Sequence, residues 1–352
     1  MNRSMNKKSI LISTLCWVLL LSMVFMSCSD KKDNGSDKDN NKHKVTTSTV
    51  TTVDPSVDNE APKNLYERLE AIAISSQVHE ISGLHSGTAL VFDKNKNEIL
   101  YSNEDVEFPI YPASTSKLMT ALYALSVADL GYEITVGTEL QLVAGDASKA
   151  GIRQGETYTL KELVGLMLIP SGNDAAYAIA KGVGALLSRE NCSNGEALHA
   201  FCDGMNSYAQ NELGLDNSNF VTPDGYHDEE HVTTLLDMLK ISVASSENAT
   251  ILEFSSMVEY TCSSSAGRQV TVYNTNGLVN PGNQFYNKYI TGLKTGHTSV
   301  AGRCVCVSYD DGENSYIILV FNVKNEYGDS DSDTYYRNKN VDILLDYFLK
   351  LA

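Results

Sequence analysis

A hydroxyl and an amine stand three residues apart near the start of the segment 112–131, at Ser114 and Lys117. In a helix these two side chains project from the same face, where the amine can act as a base for the hydroxyl. The segment has apolar residues at helical spacing, namely Leu118, Leu122 and Leu125. We therefore predict a helix with Ser114 at its N-terminus, where unpaired backbone N–H groups suit a nucleophile that develops negative charge.

Two more polar motifs follow in the chain. Ser171 and Asn173 belong to a Pro-Ser-Gly-Asn-Asp turn that opens a predicted helix, and residues 294–298 read Lys-Thr-Gly-His-Thr at the end of a predicted strand. The glycine of this run, Gly296, allows another backbone or a ligand to approach the strand closely. Each motif is weak alone, because short patterns of this kind recur by chance. The three in this order, separated by 57 and then 123 residues, are hard to attribute to chance and indicate one site in which Lys117 activates Ser114 as a nucleophile.

Composition bounds the class of protein. The chain has 352 residues, 42% of them hydrophobic, which is enough for one large domain or two small ones with a sizeable core. The formal net charge is −17, and removal of residues 1–27 would leave 24 basic and 44 acidic side chains. A surface this acidic repels nucleic acid and anionic lipid headgroups, so we expect neither as a partner through charge.

The N-terminus reads as an export signal. A basic stretch ending at Lys8 precedes a mostly apolar run from Ile10 to Met26, and Ser27-Cys28 follows. A small residue before a cysteine at this point resembles a bacterial lipobox, so residues 1–27 are predicted to be a lipoprotein signal peptide and Cys28 to carry lipid. An uncleaved membrane anchor is the alternative, because about 17 apolar residues is the lower limit for a spanning helix. Residues 28–62 are polar and are predicted to be a disordered tether.

Five cysteines follow Cys28, and an odd number argues against a complete set of disulfides. Cys192 and Cys202 could form one bridge. Cys304 and Cys306 alternate with valines, so we predict that they share a buried strand face as small apolar residues. The chain contains no Cys-x-x-Cys pair that would suggest zinc.

The order of the predicted elements indicates an α/β protein of the α+β type. A short helix from residue 64 to about 75 precedes two strands, 87–93 and 98–102, which a hairpin turn joins. The chain then reads as mostly helical from about 160 to 238. Later elements are strands at 269–273, 289–294, 303–309 and 315–323 and a helix at about 334–349. This order predicts an antiparallel sheet flanked by helices, with a helical subdomain inserted between the sheet halves, over residues 63–352.

The three motifs together are the signature of class A β-lactamases and penicillin-binding proteins. From Gly87 to Val323 the chain resembles the low-molecular-mass D-alanyl-D-alanine carboxypeptidases, serine peptidases that trim peptidoglycan stem peptides. The blocks that carry the resemblance include ALVFD, PASTSKLMTAL, LMLIPSGNDAAYAIA, NFVTPDGYHDEEHVTTLLDM and YITGLKTGHTSVAGRCVCVSY. The middle motif is Ser-Gly-Asn rather than Ser-Asp-Asn, and no amphipathic tail is expected after the last helix.

The resemblance implies a role for each residue of the first two motifs. Ser114 would form the acyl-enzyme with Lys117 as its base, and burial together with the nearby cation of Lys294 would lower the pKa of Lys117. Ser171 would relay the proton to the leaving D-alanine nitrogen. Asn173 would hydrogen-bond the substrate amide and Lys117.

The resemblance assigns the third motif to substrate binding. Lys294, Thr295 and Thr298 would hold the terminal carboxylate of the substrate, a charge that favours a C-terminal cut over an internal one. The backbone N–H groups of Ser114 and His297 would form the oxyanion hole. The implied activity is removal of D-alanine from stem pentapeptides without a cofactor, and β-lactams would be covalent inhibitors. With the predicted lipid anchor, the protein would act on the outer face of the cytoplasmic membrane.

Other functions share parts of this pattern. A class A β-lactamase needs a glutamate to activate the deacylating water, and Glu212 is the nearest candidate by spacing, although its surroundings match a carboxypeptidase helix end. A non-hydrolytic penicillin-binding sensor is a further alternative, which the intact motifs disfavour. Residues 227–231 match the His-x-x-Glu-His pattern of some zinc peptidases. They follow a Pro-Asp-Gly turn, and the resembled family has histidines here without a metal, to tie down the loop.

Overall fold

The computed structural model describes residues 64–188, 192–324 and 330–352. The predicted signal peptide (1–27), the tether (28–62) and Cys28 lie outside these ranges and stay predictions. None of the helices within the described ranges combines the length and apolar character needed to cross a membrane.

The strands follow the chain in this order: β1 (Ala73–Ile74), β2 (Thr88–Asp93), β3 (Glu98–Ser102), β4 (Pro109–Ile110), β5 (Glu133–Thr135), β6 (Thr157–Thr159), β7 (Thr233–Thr234), β8 (Glu259–Ser263), β9 (Gln269–Tyr273), β10 (Ile290–Thr298), β11 (Gly302–Asp310) and β12 (Ser315–Val323). The helices are α1 (Leu65–Glu70), α2 (Lys117–Val127), α3 (Leu160–Leu168), α4 (Asn173–Leu187), α5 (Asn194–Leu213), α6 (Leu235–Glu247), α7 (Ala249–Ser256) and α8 (Ser330–Leu349).

A six-stranded sheet in the order β1, β3, β2, β12, β11, β10 organises the domain. Its neighbouring strands are antiparallel except for β1 and β3. The hairpin β2–β3 pairs with β12, so strands from the two ends of the described domain meet in one sheet, with the helices α2 to α7 between them in sequence. This architecture confirms the predicted fold class.

The sheet buries apolar side chains on both faces, with alternate residues of β12 facing opposite sides. One face of β12 packs into the core that contains α2, α3, α4 and α6, through Ile317, Leu319 and Phe321. The other face packs against α8, through Tyr316, Ile318 and Val320. Because both faces are covered, β12 reads as a continuous apolar run in the sequence.

Several predicted boundaries agree with the structure, including 160–168, 269–273 and 315–323. The first helix ends earlier than predicted, at Glu70, because the chain then extends into β1 and pairs with β3. Strand β10 is longer than predicted and continues to Thr298, since its second half pairs with β11. The Lys-Thr-Gly motif therefore lies within a strand rather than at its end.

The cysteines of the described domain are all free thiols, so the possible bridge between Cys192 and Cys202 is not formed. Cys304 and Cys306 are fully buried on one face of β11, as predicted. Cys306 lies opposite Lys294 in the pairing of β11 with β10.

Candidate active site

The first motif lies on a 3₁₀ turn that runs directly into a helix. Residues Ala113–Ser116 form the turn, and α2 begins at Lys117. Ala113 has a left-handed backbone conformation, with φ of 49°, immediately before the serine. Ser114 therefore lies at the N-terminal end of the helical segment, where the sequence placed it, and its Oγ is 2.9 Å from Lys117 Nζ.

Lys117 is fully buried, and its amine contacts three oxygen atoms. The distances from Nζ are 2.9 Å to Ser114 Oγ, 2.8 Å to Asn173 Oδ1 and 2.6 Å to the main-chain oxygen of Asp224. Burial lowers the pKa of Lys117 to about 8, although the carboxylates of Asp224 and Asp174 act in the opposite direction. The amine therefore titrates close to neutral pH, and its neutral form can accept the Ser114 proton.

The second motif is held in a constrained turn at the start of α4. Ser171 has a φ of 62°, a left-handed conformation that costs a non-glycine residue about 1–3 kcal/mol. Asp174 holds the adjacent loop, because its carboxylate accepts hydrogen bonds of 2.8 Å from both Ala150 N and Gly151 N. Ser171 lines the same cavity as Ser114.

The turn Pro223-Asp224-Gly225 completes the surroundings of the base, although sequence reasoning gave it no role in the site. Asp224 is buried, and its Oδ2 accepts a hydrogen bond of 2.6 Å from Asn173 Nδ2. Gly225 has a φ of 71°, and a Cβ at this position would collide with the main-chain oxygen of Ala113. Only glycine fits there, so the Pro-Asp-Gly pattern was the available signal.

Strand β10 approaches the 3₁₀ turn closely at the third motif. A Cβ added to Gly296 would lie 3.1 Å from Ser114 N, from the main-chain oxygen of Pro112 and from Ala113 Cβ. The absence of a side chain at Gly296 therefore lets the backbone of β10 lie beside the nucleophile. This approach places the backbone N–H groups of Ser114 and His297 on neighbouring segments, as an oxyanion hole requires.

Lys294 lies beneath the cavity rather than on its wall. It is 1% exposed, and its Nζ donates a hydrogen bond of 2.9 Å to the main-chain oxygen of Thr295. Burial lowers the pKa of Lys294 well below its ordinary value, and repulsion by Lys117 and Arg337 lowers it further. The predicted lowering of the Lys117 pKa by Lys294 is not found: burial accounts for the Lys117 shift, and the repulsion between the two amines instead lowers the pKa of Lys294.

The cavity has a volume of about 640 Å³ and contains all three motifs in its walls. From the third motif it is lined by Thr295, Gly296, His297 and Thr298. Two arginines, Arg303 and Arg337, also line the cavity, and neither was singled out in the sequence. Arg337 comes from α8, and burial together with repulsion by Arg303 lowers its pKa to about 10.

The opposite part of the cavity wall carries a hydrogen-bonded pair. The hydroxyl of Tyr226 donates to Asp146 Oδ1 at 3.0 Å, and both residues line the cavity. Tyr226 follows the Pro-Asp-Gly turn, and Asp146 belongs to the loop that Asp174 holds. No sequence signal distinguished either residue.

The two histidines of the His-x-x-Glu-His run have separate surroundings. His231 is buried, and its Nδ1 accepts a hydrogen bond of 3.2 Å from Val221 N, while His227 packs edge-on against Tyr111. Burial lowers the pKa of His231 to about 4, so the ring is neutral at physiological pH. Its contact ties the loop to the preceding segment. Within the part of the chain that the structure describes, no three metal-binding side chains are grouped.

Glu212 is solvent-exposed near the end of α5 and does not line the cavity. Since the lining residues include no glutamate, the geometry gives no candidate for the deacylating base of a class A β-lactamase.

Residues 74–325 match the sequence profile of the Peptidase_S11 family, which is described as D-alanyl-D-alanine carboxypeptidase. The chain belongs to this family of serine peptidases. The predicted family is thereby confirmed. In this S11 peptidase the hydroxyl of Ser114 and the amine of Lys117 are in hydrogen-bond contact.

Individual relatives of this S11 peptidase carry two kinds of name. The D-alanyl-D-alanine carboxypeptidase DacF of Bacillus subtilis is 29% identical over 238 residues, which cover 66% of this chain and 56% of that protein. This chain therefore spans little more than half the length of the Bacillus relative. A D-alanyl-D-alanine endopeptidase of Pseudomonas aeruginosa is 31% identical over 248 residues, which cover 69% of this chain and 73% of that protein.

The fold of the S11 peptidase matches that of solved DD-peptidases. The DD-transpeptidase of Streptomyces K15 superposes with a TM-score of 0.63 at 25% sequence identity, and the superposition covers 74% of this chain and 98% of that one. The sheet with its inserted helical subdomain is therefore common to both proteins.

Proposed function

We propose that this S11 peptidase removes the terminal D-alanine from peptidoglycan stem peptides that end in D-Ala-D-Ala. The observation that carries the proposal is the composition of the cavity wall around Ser114. Two arginines, Arg303 and Arg337, and two threonines, Thr295 and Thr298, line one cavity. Such a set of donors suits a carboxylate, which a substrate presents next to the scissile bond only when the cut is C-terminal.

Acylation follows from the contacts of the base. Lys117 in its neutral form takes the hydroxyl proton of Ser114, and the oxygen attacks the carbonyl carbon of the D-Ala-D-Ala bond. The backbone N–H groups of Ser114 and His297 stabilise the oxyanion, a contribution that typically amounts to about 10²–10³ in rate for one donor. Ser171 relays the proton from Lys117 to the departing D-alanine nitrogen as the C–N bond breaks, and Asn173 binds the substrate amide.

Deacylation uses the same residues in reverse. Water enters the position that D-alanine has left, Lys117 accepts its proton, and the hydroxide equivalent attacks the ester of Ser114. The ester breaks, the shortened peptide leaves, and Ser114 recovers its proton. No cofactor takes part in either half of the proposed reaction.

Lys294 supports carboxylate binding in this scheme from behind the wall. Its amine donates a hydrogen bond to Thr295 O and so holds the strand segment whose Thr295 lines the cavity, without touching the substrate. Arg337 is better placed for direct contact, because it lines the cavity and a planar guanidinium binds a carboxylate through two parallel hydrogen bonds.

The test is incubation with a tripeptide that ends in Lys-D-Ala-D-Ala, with product masses recorded. We expect release of one D-alanine by the wild-type protein and none by Ser114→Ala. The same tripeptide with a C-terminal amide is the matched control, and we expect it to be cleaved much more slowly because it lacks the terminal charge. Continued release of D-alanine by Ser114→Ala would end the proposal.

Endopeptidase activity is the second candidate, because relatives with that name reach 31% identity over 69% of this chain. A cross-linked muropeptide dimer separates the two activities. Release of monomers at a rate similar to that of D-alanine from the pentapeptide would favour the endopeptidase.

Penicillin distinguishes a peptidase from a β-lactamase or a sensor. We expect covalent labelling of Ser114 with slow release of the hydrolysed drug, because the lining of the cavity provides no glutamate for rapid deacylation. Rapid turnover of penicillin would indicate a β-lactamase. Labelling without D-alanine release from any stem peptide would indicate a sensor.

We also propose that the protein is exported and held at the cell envelope by lipid on Cys28. The basic stretch, the apolar run and Ser27-Cys28 support this processing, and a wall-peptide substrate requires a location outside the cytoplasm. Growth with labelled palmitate should label the wild-type protein and leave Cys28→Ala unlabelled. Labelling of both would refute lipidation at Cys28.

A further inference from the structure

Asp224 is a buried carboxylate beside the base, and the proposed mechanism gives it no role. Only 1% of the residue is exposed, and both carboxylate oxygens accept hydrogen bonds. Oδ2 accepts from Asn173 Nδ2 at 2.6 Å, and Oδ1 accepts from Tyr226 N at 3.0 Å. The main-chain oxygen of Asp224 accepts from Lys117 Nζ at 2.6 Å. One residue therefore contacts both the base and the carboxamide that adjoins it.

These contacts determine which way the carboxamide of Asn173 faces. The oxygen and nitrogen of a carboxamide have nearly the same shape, so only their hydrogen-bond partners fix the orientation. Asn173 Oδ1 faces the amine of Lys117, and Nδ2 faces the carboxylate of Asp224. The reverse orientation would place an oxygen against the carboxylate, where neither atom can donate a proton.

The orientation of Asn173 in turn directs the lone pair of Lys117. A neutral amine has two N–H groups and one lone pair, and Lys117 Nζ has three neighbours. Asn173 Oδ1 and the main-chain oxygen of Asp224 can only accept, so they take the two N–H groups. The lone pair is then left for the hydroxyl proton of Ser114, which is the arrangement that a general base needs.

We propose that Asp224 is a positioning residue for acyl transfer, whose carboxylate keeps Asn173 in the orientation that turns the Lys117 lone pair toward Ser114. The inference rests on the proposed serine acylation chemistry. A carboxylate is required because two donors, Asn173 Nδ2 and Tyr226 N, each need an acceptor. An asparagine at position 224 has one oxygen for both donors, and its NH₂ group would favour the reversed Asn173.

The charge of Asp224 has a second, separable effect. The carboxylates of Asp224 and Asp174 raise the pKa of Lys117. Lys294 and His231 also face Lys117, and the charge of Lys117 lowers the pKa of each of them. Removal of the Asp224 charge therefore lowers the pKa of Lys117. The acid limb of the acylation rate moves to lower pH, in contrast to a purely structural defect, which leaves the limb in place.

The experiment measures covalent labelling by a fluorescent penicillin across pH for the wild type, Asp224→Asn, Asn173→Ala and the double variant. For Asp224→Asn we expect a plateau rate lower by about 10²-fold, the typical cost of a misplaced catalytic group, and an acid limb at lower pH. The double variant should be no slower than Asn173→Ala alone, because Asp224 acts through Asn173. Circular dichroism checks folding, and Asp224→Ser is the second variant if Asp224→Asn does not fold.

A matched control is Asp237→Asn, which removes another buried carboxylate. Asp237 lies on α6, outside the cavity lining, and accepts hydrogen bonds from Asn217 N and Ser218 Oγ. We expect it to leave the acid limb unmoved. Two results would overturn the inference. In the first, Asp224→Asn is labelled at a rate within about twofold of the wild-type rate and the acid limb of its pH profile does not move. In the second, Asp224→Asn slows labelling of the Asn173→Ala protein by the same factor as it slows labelling of the wild type. D-alanine release by the wild type is measured separately, so failure of the proposed substrate is distinguished from failure of the positioning role.

Discussion

Two clusters of charged side chains, one around Glu156 and one around Lys117, differ in whether the charged group contacts an opposite charge directly. Glu156 and Arg268 form a direct ion pair, with 2.6 Å from Arg268 Nε to Glu156 Oε1, and Tyr158 adds a hydrogen bond of 2.7 Å to the same carboxylate. Lys117, in contrast, contacts only uncharged oxygen atoms, and the nearest carboxylate, that of Asp224, is separated from it by the carboxamide of Asn173.

The pKa values follow the two arrangements. Hydrogen bonds from Arg268 lower the pKa of Glu156 to about 2, so this carboxylate stays ionised at every physiological pH. Burial lowers the pKa of Lys117 to about 8, so its amine can lose a proton in the working range. Direct pairing thus fixes a charge and stabilises the fold, whereas separating the partners by one neutral group keeps the amine available as a base.

The largest expected effect is that of Lys117→Met. Loss of the base should slow penicillin labelling by about 10²–10⁴-fold. The midpoint of thermal unfolding should not fall, because replacing a desolvated ammonium with an apolar side chain of similar length relieves a burial cost. Lys161→Met, at a half-exposed lysine paired with Glu253, is the control and should keep its labelling rate. If Lys117→Met were labelled at a rate within about tenfold of the wild-type rate, the assignment of Lys117 as the base would be contradicted.

The pH profile is the next test of the comparison. Labelling by the wild type should fall about tenfold per pH unit below the Lys117 pKa of about 8, because only the neutral amine is active. Measurement of the labelling rate between pH 5 and pH 10 checks this, with the range chosen to bracket the expected pKa. If the labelling rate stayed constant down to about pH 6, near the pKa of an unperturbed histidine, another group would have to be the base.

Glu156→Gln should affect stability rather than chemistry. Loss of the charged acceptor should lower the free energy of unfolding by about 1–3 kcal/mol, toward the lower end because the Arg268 side chain is 26% exposed. Denaturant unfolding at neutral pH measures the change, and penicillin labelling should be affected much less. A larger loss of labelling than of stability would mean that the ion pair belongs to the active site.

The same pair also gives an acid signature. The Glu156 pKa is depressed in the folded state, so its contribution to stability is complete above its ordinary value of about 4.5 and is lost as the pH falls toward 2. Wild type and Glu156→Gln should therefore converge in stability across this window. Parallel stability curves down to the acid limit would refute the linkage.

The smallest effect should come from an exposed pair, Arg68 with Glu247, whose side chains are 39% and 31% exposed. Truncation by Arg68→Ala should lower the free energy of unfolding by about 0.2–1 kcal/mol, because water already solvates both groups. The loss should shrink in high salt, unlike that of Glu156→Gln. An exposed pair that proved as costly as the buried one would remove burial as the reason for the difference.

Residue spacing predicts the polar partners that are close along the chain, whereas contacts between distant residues were either implied by the family resemblance, as for Asn173 with Lys117, or missed. Ser114 and Lys117 are three residues apart on one helical segment, so their contact follows from helix geometry alone. Asp224 reaches Asn173 only through folding, and Arg337 enters the cavity from α8, at the far end of the described domain. Neither has a spacing that would reveal its role.

Backbone geometry explains the remaining differences. The Lys-Thr-Gly run was predicted to close a strand because its polar residues follow apolar ones, but pairing with β11 continues the strand to Thr298. The short strands β4 and β7 are far apart in sequence and pair with each other. Neither has an apolar pattern from which a strand could be predicted. By contrast, α3 and β12 have strong periodic or continuous apolar patterns, and both were predicted with their observed bounds.

The pairing of β2 with β12 joins residues more than two hundred positions apart in sequence. Such high contact order slows folding, because the polypeptide must close a long loop before the pairing stabilises it. The strand that carries the Lys-Thr-Gly run and the helix that supplies Arg337 are also synthesised well after Ser114 and Lys117. A nascent or truncated polypeptide that stops before β10 would therefore hold Ser114 and Lys117 without these cavity walls, and acylating capacity would arise only after β10 and α8 have been synthesised.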